Sequence, residues 1–145
     1  MRSERGAVGG IEVLPFGLLI FVAGALLIAN AWAVVDAKLA VESAAREAGR
    51  AYVEVGDAGS AAQAAEAAAR SAIEGVGRDP ERLELRDNQP LYVRCAVVEH
   101  EASYRVPALT IPFVGGFGRG ITVRGRHREI IDPFGAGLGS ADACG

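Results

Sequence analysis

Lysine, cysteine and aromatic residues are scarce in this chain of 145 residues. Lys38 is the only lysine beside 14 arginines, and aromatic side chains make up 6% of the residues. The charges nearly balance, at 15 Lys and Arg against 18 Asp and Glu, which argues against a general nucleic-acid-binding protein. Half of the residues are hydrophobic, which excludes a disordered tail. The length allows one domain at most and rules out a multi-span transporter.

The two cysteines, Cys95 and Cys144, are too few for a disulfide framework, and their spacing matches no zinc site. A single bridge between them would suit a domain outside the cytoplasm, whereas a strand position would make Cys95 a small buried hydrophobic residue. Alanine and glycine are abundant, at 27 and 19 residues. The core beyond Val35 is therefore built from small side chains, and we expect marginal stability.

Charge is absent from the 23 residues between Val13 and Val35. A helix of this length reaches about 34 Å, which is enough to cross a hydrocarbon core of about 30 Å. Asn30 is its only strongly polar side chain, and Trp32 lies near the far end, where an aromatic ring suits the headgroup region. The segment is therefore predicted to span a membrane.

The short flank before this segment carries Arg2 and Arg5. By the positive-inside rule, the protein is predicted to cross the cytoplasmic membrane once, with a cytoplasmic N-terminus and residues 36–145 outside. A secretory signal peptide is the alternative, because Ala29-Asn30-Ala31 and Ala31-Trp32-Ala33 resemble cleavage sites. The apolar run exceeds the roughly 7 to 15 residues of the apolar region in a signal peptide, so a membrane span is favoured.

Glu12 stands at the start of the apolar run, where an unpaired charge is costly once it enters the bilayer. In the interface it would stay hydrated and be stabilised by the positive end of the helix dipole. Alternatively, it pairs with a cation on a neighbouring subunit, which would make the segment an assembly element. The residue alone leaves both interpretations open.

Residues 5–12 read Arg-Gly-Ala-Val-Gly-Gly-Ile-Glu, and the long apolar helix follows at once. This motif resembles the class III prepilin signal of type IV pilins and their tight-adherence (Tad) relatives. Beyond the apolar run, residues 36–51 look like the alanine-rich continuation of TadE-like pseudopilins. The strand-rich C-terminal half, which closes on Asp132-Pro133-Phe134, is similar to that family in pattern.

The resemblance implies a non-enzymatic TadE-like pseudopilin that acts as a minor subunit or assembly factor of a Tad (type IV) pilus. A prepilin peptidase would cut between Gly6 and Ala7, and Glu12 would dock onto the freed amine of an adjacent subunit. With Ala7 first, Glu12 is sixth in the mature chain; a cut after Ala7 would place it fifth, the usual position in the family.

The partners implied are the membrane, the prepilin peptidase, other pilin or pseudopilin subunits and the pilus assembly platform. The resemblance fits retention in the membrane as well as incorporation in a surface pilus. No nucleic acid, small-molecule substrate, cofactor or metal is expected. The alternative is a signal-anchored or secreted small envelope domain that binds a surface ligand. A membrane-tethered enzyme is a third class, for which the sequence offers no acid, base or nucleophile set.

The predicted fold is α+β and pilin-like, with a long N-terminal helix and a second, Ala-rich helix packed on a small antiparallel sheet. The first helix is predicted from near Glu12 to Val55, with Glu42 and Arg46 paired on its polar side. Ser60 is predicted as the N-cap of the second helix, which runs to Val76.

From Arg82 onward, apolar and polar residues alternate with a period of two, which predicts strands. The predicted strands cover residues 82–86, 91–98 and 121–131, and residues 100–106 extend the second strand after a break at Glu99 and Glu101. The chain is divided into a leader at 1–6, a transmembrane segment at 7–35, an extracytoplasmic domain at 36–134 and a flexible Gly/Ala tail at 135–145.

Four further features of the sequence invite a functional interpretation. His100 and His127 lack the spacing of a metal site, and Gly116–Gly120 is a turn without a phosphate-binding lysine. The arginines at 124, 126 and 128 would line the solvated face of an edge strand or contact anionic lipid or polymer. The apolar loop 107–114 either caps the core or touches the outer leaflet or a partner subunit.

Overall fold

The computed structural model describes residues 13–139. Gly6, Ala7, Glu12 and Cys144 therefore lie outside the described residues. The described part is α+β: a long apolar helix, a second helix and a small antiparallel sheet. In chain order the elements are α1 (Val13–Glu54), α2 (Ala58–Gly75), a 3-10 turn (Pro80–Arg82), β1 (Leu83–Asp87), β2 (Val97–Val106), β3 (Leu109–Ile111), β4 (Gly115–Phe117) and β5 (Ile121–Ile130).

Helix α1 is one unbroken helix of 42 residues, as the sequence predicts. Its side chains are exposed from Val13 to Ala25, and fully buried positions begin only at Ala37. The buried positions then recur every three or four residues along one broad side: Ala37, Ala40, Val41, Ala44, Ala45, Ala48, Gly49 and Tyr52. The second half of α1 is thus the central element of the folded domain.

The polar side of α1 differs from the predicted Glu42–Arg46 pair. Glu42 pairs with Lys38, whose Nζ lies 3.0 Å from Glu42 Oε1. The Lys38 ammonium also donates to the main-chain carbonyl oxygen of Arg124 on β5. Because Lys38 is held between the helix and the sheet, it lies beside Glu42 and forms the pair in place of Arg46.

The N-cap of α2 is Asp57, so the prediction of Ser60 is wrong. Asp57 has an extended backbone, and its Oδ1 accepts from the N–H groups of Gly59 at 2.9 Å and Ser60 at 3.1 Å. These bonds satisfy amides that the first turn leaves without a helical partner. The Ser60 hydroxyl donates to the same carboxylate, and together these bonds lower the Asp57 pKa.

Helix α2 packs chiefly along α1 and reaches the sheet at β1. Its buried residues fall at every fourth position: Ala61, Ala65, Ala69 and Ile73. Three of the four are alanines, and alanines also dominate the buried side of α1. Small side chains on both faces let the two helices approach closely, which compensates for the scarcity of large apolar residues.

The main sheet has the strand order β1-β2-β5 and is antiparallel throughout. Strand β2 runs without the predicted break, because Glu99 and Glu101 point to the outer face, opposite Arg128 and Arg126 of β5. The inward positions of β2 alternate with them and are buried: Val98, His100, Ala102, Tyr104 and Val106. This inner face packs against α1.

Residues 91–96 form an irregular loop, so the predicted strand at 91–98 is wrong over most of its length. Pro90 lacks a main-chain donor, and Cys95 has φ of 64°, which a strand cannot accommodate. The loop is nevertheless fixed. The Arg94 N–H donates to the Gly139 carbonyl at 2.8 Å, and the Cys95 N–H donates to the Ile131 carbonyl at 3.0 Å.

Candidate functional site: the apolar helix and the surfaces beside it

The first half of α1 is an apolar rod, and most of its side chains are exposed. Within the described residues, α1 is the one helix that is long and apolar enough to cross a membrane, and none of its most apolar 18-residue stretch is buried. Large side chains such as Leu14, Phe16 and Phe21 are exposed by two thirds or more. Such a surface needs a non-aqueous environment, from lipid or from other helices.

A fixed ion pair marks where this rod enters the domain. Arg78, which follows α2, donates to Asp36 Oδ2 at 2.6 Å and to the Ala33 carbonyl at 3.1 Å. Its guanidinium also lies 5.6 Å from the ring centre of Tyr104 on β2. Asp36 is the first charged residue after the apolar run, so Arg78 joins both helices and the sheet at the polar end of the rod.

A two-stranded hairpin reaches past this boundary onto the apolar rod. Strands β3 and β4 pair in antiparallel register, with Thr110 opposite Gly116. The Thr110 N–H donates to Asn30 Oδ1 at 2.6 Å, and Asn30 Nδ2 donates to the Thr110 carbonyl at 3.2 Å and to the Leu26 carbonyl at 2.8 Å. The Asn30 side-chain amide therefore pairs with β3 as a neighbouring strand would.

An apolar groove of about 510 Å³ separates the hairpin from α1. The α1 side is formed by residues between Ala23 and Val34, and the opposite side by Ala108, Leu109 and Ile121. Sequence reasoning identified Asn30 as an isolated polar residue and loop 107–114 as an unsatisfied apolar segment, but it did not connect them. The two are separated by 80 positions in the chain, and no local pattern reports a contact at that distance.

The outer face of the main sheet is rich in arginine, as the alternation predicts. Arg126 Nε and Arg128 Nε each lie 2.5 Å from a carboxylate oxygen, of Glu101 and Glu99 respectively. β5 is an edge strand. A cleft of about 210 Å³ on this face is lined by more positive than negative side chains, namely Arg82, Arg86, Arg105, Arg124 and Arg126 against Glu84 and Glu101.

The two histidines lie directly opposite each other on β2 and β5, which the sequence did not reveal. His100 is fully buried, and neither of its ring nitrogens has a hydrogen-bond partner. His127 Nε2 lies 2.7 Å from Glu129 Oε2. Within residues 13–139, no group of three or more His, Cys, Asp or Glu side chains could hold a metal ion.

The predicted disulfide has one cysteine inside the described residues and one outside them. Cys95 is disulfide-bonded, whereas Cys144 lies outside the described residues, so the pairing of Cys95 with Cys144 stays a prediction. The cleavage site at Gly6 and Ala7 and the docking residue Glu12 also lie outside. Of the predicted tail, Leu138 packs against the core and Gly139 accepts from the Arg94 N–H.

Comparison with known proteins adds no relative: no family model, curated protein or solved structure matches this chain.

Proposed function

We propose that the protein is a non-enzymatic, TadE-like pseudopilin, a minor subunit or assembly factor of a Tad pilus that docks through its N-terminal helix. One observation carries the proposal: α1 is continuous, bare and apolar in its first half and buried at the centre of an α+β domain in its second half. A helix built in this way fixes the domain rigidly to the apolar segment, because no flexible linker separates them. A force on the apolar segment therefore acts directly on the domain.

The bare half of α1 also supports helix-mediated assembly. Its exposed surface would be covered by lipid before docking and by neighbouring helices afterwards, so the protein can exchange one apolar environment for another at little cost. Specificity must then come from polar groups. In the proposed mechanism, Glu12 pairs with the amine of Ala7 on an adjacent subunit, and a subunit out of register would leave a charge unpaired in an apolar environment.

Cleavage at the leader tests the proposal. We expect the protein from native membranes to begin at Ala7 or Val8 only when a prepilin peptidase is present, as measured by N-terminal mass analysis. Gly6→Leu should retain the leader, while the control Gly10→Leu, beyond the predicted cut, should be processed. An intact Met1 in the presence of the peptidase would contradict the proposal.

A second candidate is a signal-anchored or secreted envelope domain that binds an anionic surface ligand. The arginine-lined cleft on the outer face of the sheet favours it, because five arginines surround two glutamates there. The same mass analysis separates the candidates. A secreted domain would begin near Trp32 or Val34 and a signal-anchored one at Met1, whereas a pseudopilin would begin at Ala7 or Val8.

A further inference from the structure

We propose that the β3–β4 hairpin, with its flanking residues 107–118, inserts into the outer leaflet of the membrane that α1 crosses. The domain would then contact the bilayer at two places, the helix and the hairpin. This inference rests on the membrane-spanning part of the proposed function, but it does not depend on cleavage or pilus assembly.

The depth of the hairpin is fixed by its bonds to Asn30. Asn30 precedes Asp36, the first charged residue of the helix, by six positions, which is about 9 Å along the helix axis. Thr110 is held at the level of Asn30 by two hydrogen bonds. The hairpin thus lies beside a part of α1 that belongs to the uncharged segment.

The composition of the hairpin fits that depth. No charged residue occurs between Arg105 and Arg119, so thirteen consecutive uncharged residues are bracketed by two arginines that suit lipid phosphates. Phe113, Val114 and Phe117 are exposed. An exposed apolar cluster at the end of a membrane-facing domain indicates that it is covered by something apolar.

The conformation of the hairpin also agrees with insertion. Phe113 has φ of 67°, a left-handed conformation that bulky residues rarely adopt. It directs a fully exposed ring away from the protein, so the protein gains no packing from it. The backbone of Thr110, in contrast, has both polar groups satisfied by Asn30, as backbone at membrane depth requires.

Lipid is the occupant that this geometry favours. The groove between the hairpin and α1 is apolar and is continuous with the helix surface that lipid would cover, since its walls include Ala23, Leu27 and Val34. An acyl chain of the outer leaflet can therefore enter it from the bilayer. A neighbouring subunit at the same site is the outcome that the experiment must separate.

Tryptophan fluorescence in reconstituted vesicles tests the inference with the full-length protein. Phe113→Trp and, as a second position, Val114→Trp are made in a Trp32→Phe background. The control Leu91→Trp is also at an exposed position, but its neighbour Tyr92 contacts Gly56 at the opposite end of the domain. The vesicles contain phosphatidylcholine and phosphatidylglycerol with or without bromine on the acyl chains, which quenches only nearby indoles.

We expect brominated lipid to reduce the emission at positions 113 and 114 by as large a fraction as that of wild-type Trp32, and to leave Leu91→Trp unchanged. Quenching of Trp32 without quenching at 113 and 114 would overturn the hairpin's insertion and leave the membrane span intact. If the indoles at 113 and 114 escape quenching at high protein density but are quenched when the protein is diluted in lipid, the hairpin contacts a neighbouring subunit instead. Absence of quenching at Trp32 would overturn the span and the insertion together.

Discussion

Gly125 of β5 lies directly against the main chain of α1. A Cβ atom there would lie 2.7 Å from the main-chain atoms of Val41 and Glu42. These are backbone atoms of a long helix, which cannot yield as a flexible side chain can. The sheet and the helix are therefore held at their observed separation by the absence of a side chain at this residue.

We expect Gly125→Ala to destabilise the domain by about 1 to 3 kcal/mol, because the added methyl group forces β5 away from α1. The matched control is Gly75→Ala at the end of α2, where an added Cβ meets nothing within 4 Å. It should be neutral or stabilising by up to about 1 kcal/mol. Denaturant unfolding of the full-length chain in detergent micelles measures both, and equal stability of the two variants would refute this account.

His100 is the second residue with a specific energetic consequence. Burial lowers its pKa below the usual 6.5; the carboxylate of Asp87, opposite it on β1, raises the pKa, and His127, opposite it on β5, lowers it further. Tyr52 of α1 contacts the ring edge-on, with centroids 5.3 Å apart. This histidine therefore stays neutral in the folded domain down to a lower pH than it does in the unfolded chain.

We expect titration of His100 to leave the free energy of unfolding unchanged above about pH 7. Below about pH 6.5 the free energy of unfolding should fall as the pH drops, until the pH reaches the lowered pKa of the folded state. In that window the unfolded chain binds a proton that the folded protein does not, so acid favours unfolding by at most about 1.4 kcal/mol per pH unit.

The test compares denaturant unfolding of the wild type and His100→Gln at several pH values. The variant should lose the decrease below pH 6.5 that His100 causes, whatever its stability at neutral pH. Identical pH profiles for the two proteins would show that the buried imidazole does not contribute.

Single residues also mark the limits of what the sequence could predict. Asp57 and Ser60 both carry side chains that cap helices, and only the backbone conformation decides between them. The choice of Lys38 over Arg46 as the partner of Glu42 depends on a carbonyl of β5. Both outcomes depend on tertiary contacts that local propensity does not contain.

At the scale of elements, Asn30 joins the hairpin to α1 through two hydrogen bonds. Asn30→Leu keeps the size of the side chain but removes both bonds to Thr110, leaving the N–H and carbonyl of that residue without these partners. We expect the hairpin to lose about 1 to 3 kcal/mol of docking free energy, while α1 remains helical and membrane-inserted.

Hydrogen exchange of the chain in lipid nanodiscs measures this effect. Peptides covering residues 107–118 should exchange about ten-fold faster or more in Asn30→Leu, because local opening becomes easier. The control Ala29→Leu changes an adjacent exposed residue that does not line the groove and should exchange as the wild type does. Unchanged protection in Asn30→Leu would mean that other contacts hold the hairpin.

The elements with a strong hydrophobic period could be predicted from the sequence. Those fixed by contacts between residues far apart in the chain could not. The uninterrupted apolar and alanine-rich run predicts α1 within a residue or two of each end, and the alternation at 121–131 predicts β5. The loop at 91–96 is apolar enough to resemble a strand. Its shape instead follows from Tyr92, whose hydroxyl accepts from the Gly56 N–H and donates to the Tyr52 carbonyl at the end of α1.

At the scale of the whole molecule, the fold divides the chain into an apolar rod and a small domain that share one helix. The core of the domain relies on alanine, valine and a few larger residues such as Ile73 and Ile131, as the composition predicts. The orientation of that domain relative to the apolar rod could not be predicted, because it depends on Arg78 bonding to Asp36 and on Thr110 bonding to Asn30.

The final prediction concerns the two glutamates of the N-terminal region, Glu4 and Glu12, which the proposed function places on opposite sides of the cleavage site. In that proposal Glu12 would remain in the mature chain at the start of the apolar run, whereas Glu4 would leave with the leader. Glu12→Ala should therefore insert into the membrane and be processed normally but assemble few pili, since no carboxylate then neutralises the amine of the adjacent subunit.

Glu4→Ala is the matched control and should assemble pili as the wild type does, because under the proposed cleavage its side chain would be absent from the mature subunit. Electron microscopy of surface pili and fractionation of membranes measure assembly and insertion separately. Normal piliation in Glu12→Ala would remove the electrostatic docking step and leave Glu12 as a hydrated interfacial charge. Loss of insertion in Glu12→Ala would instead assign the residue to membrane targeting, because a docking residue acts only after the helix is in the bilayer.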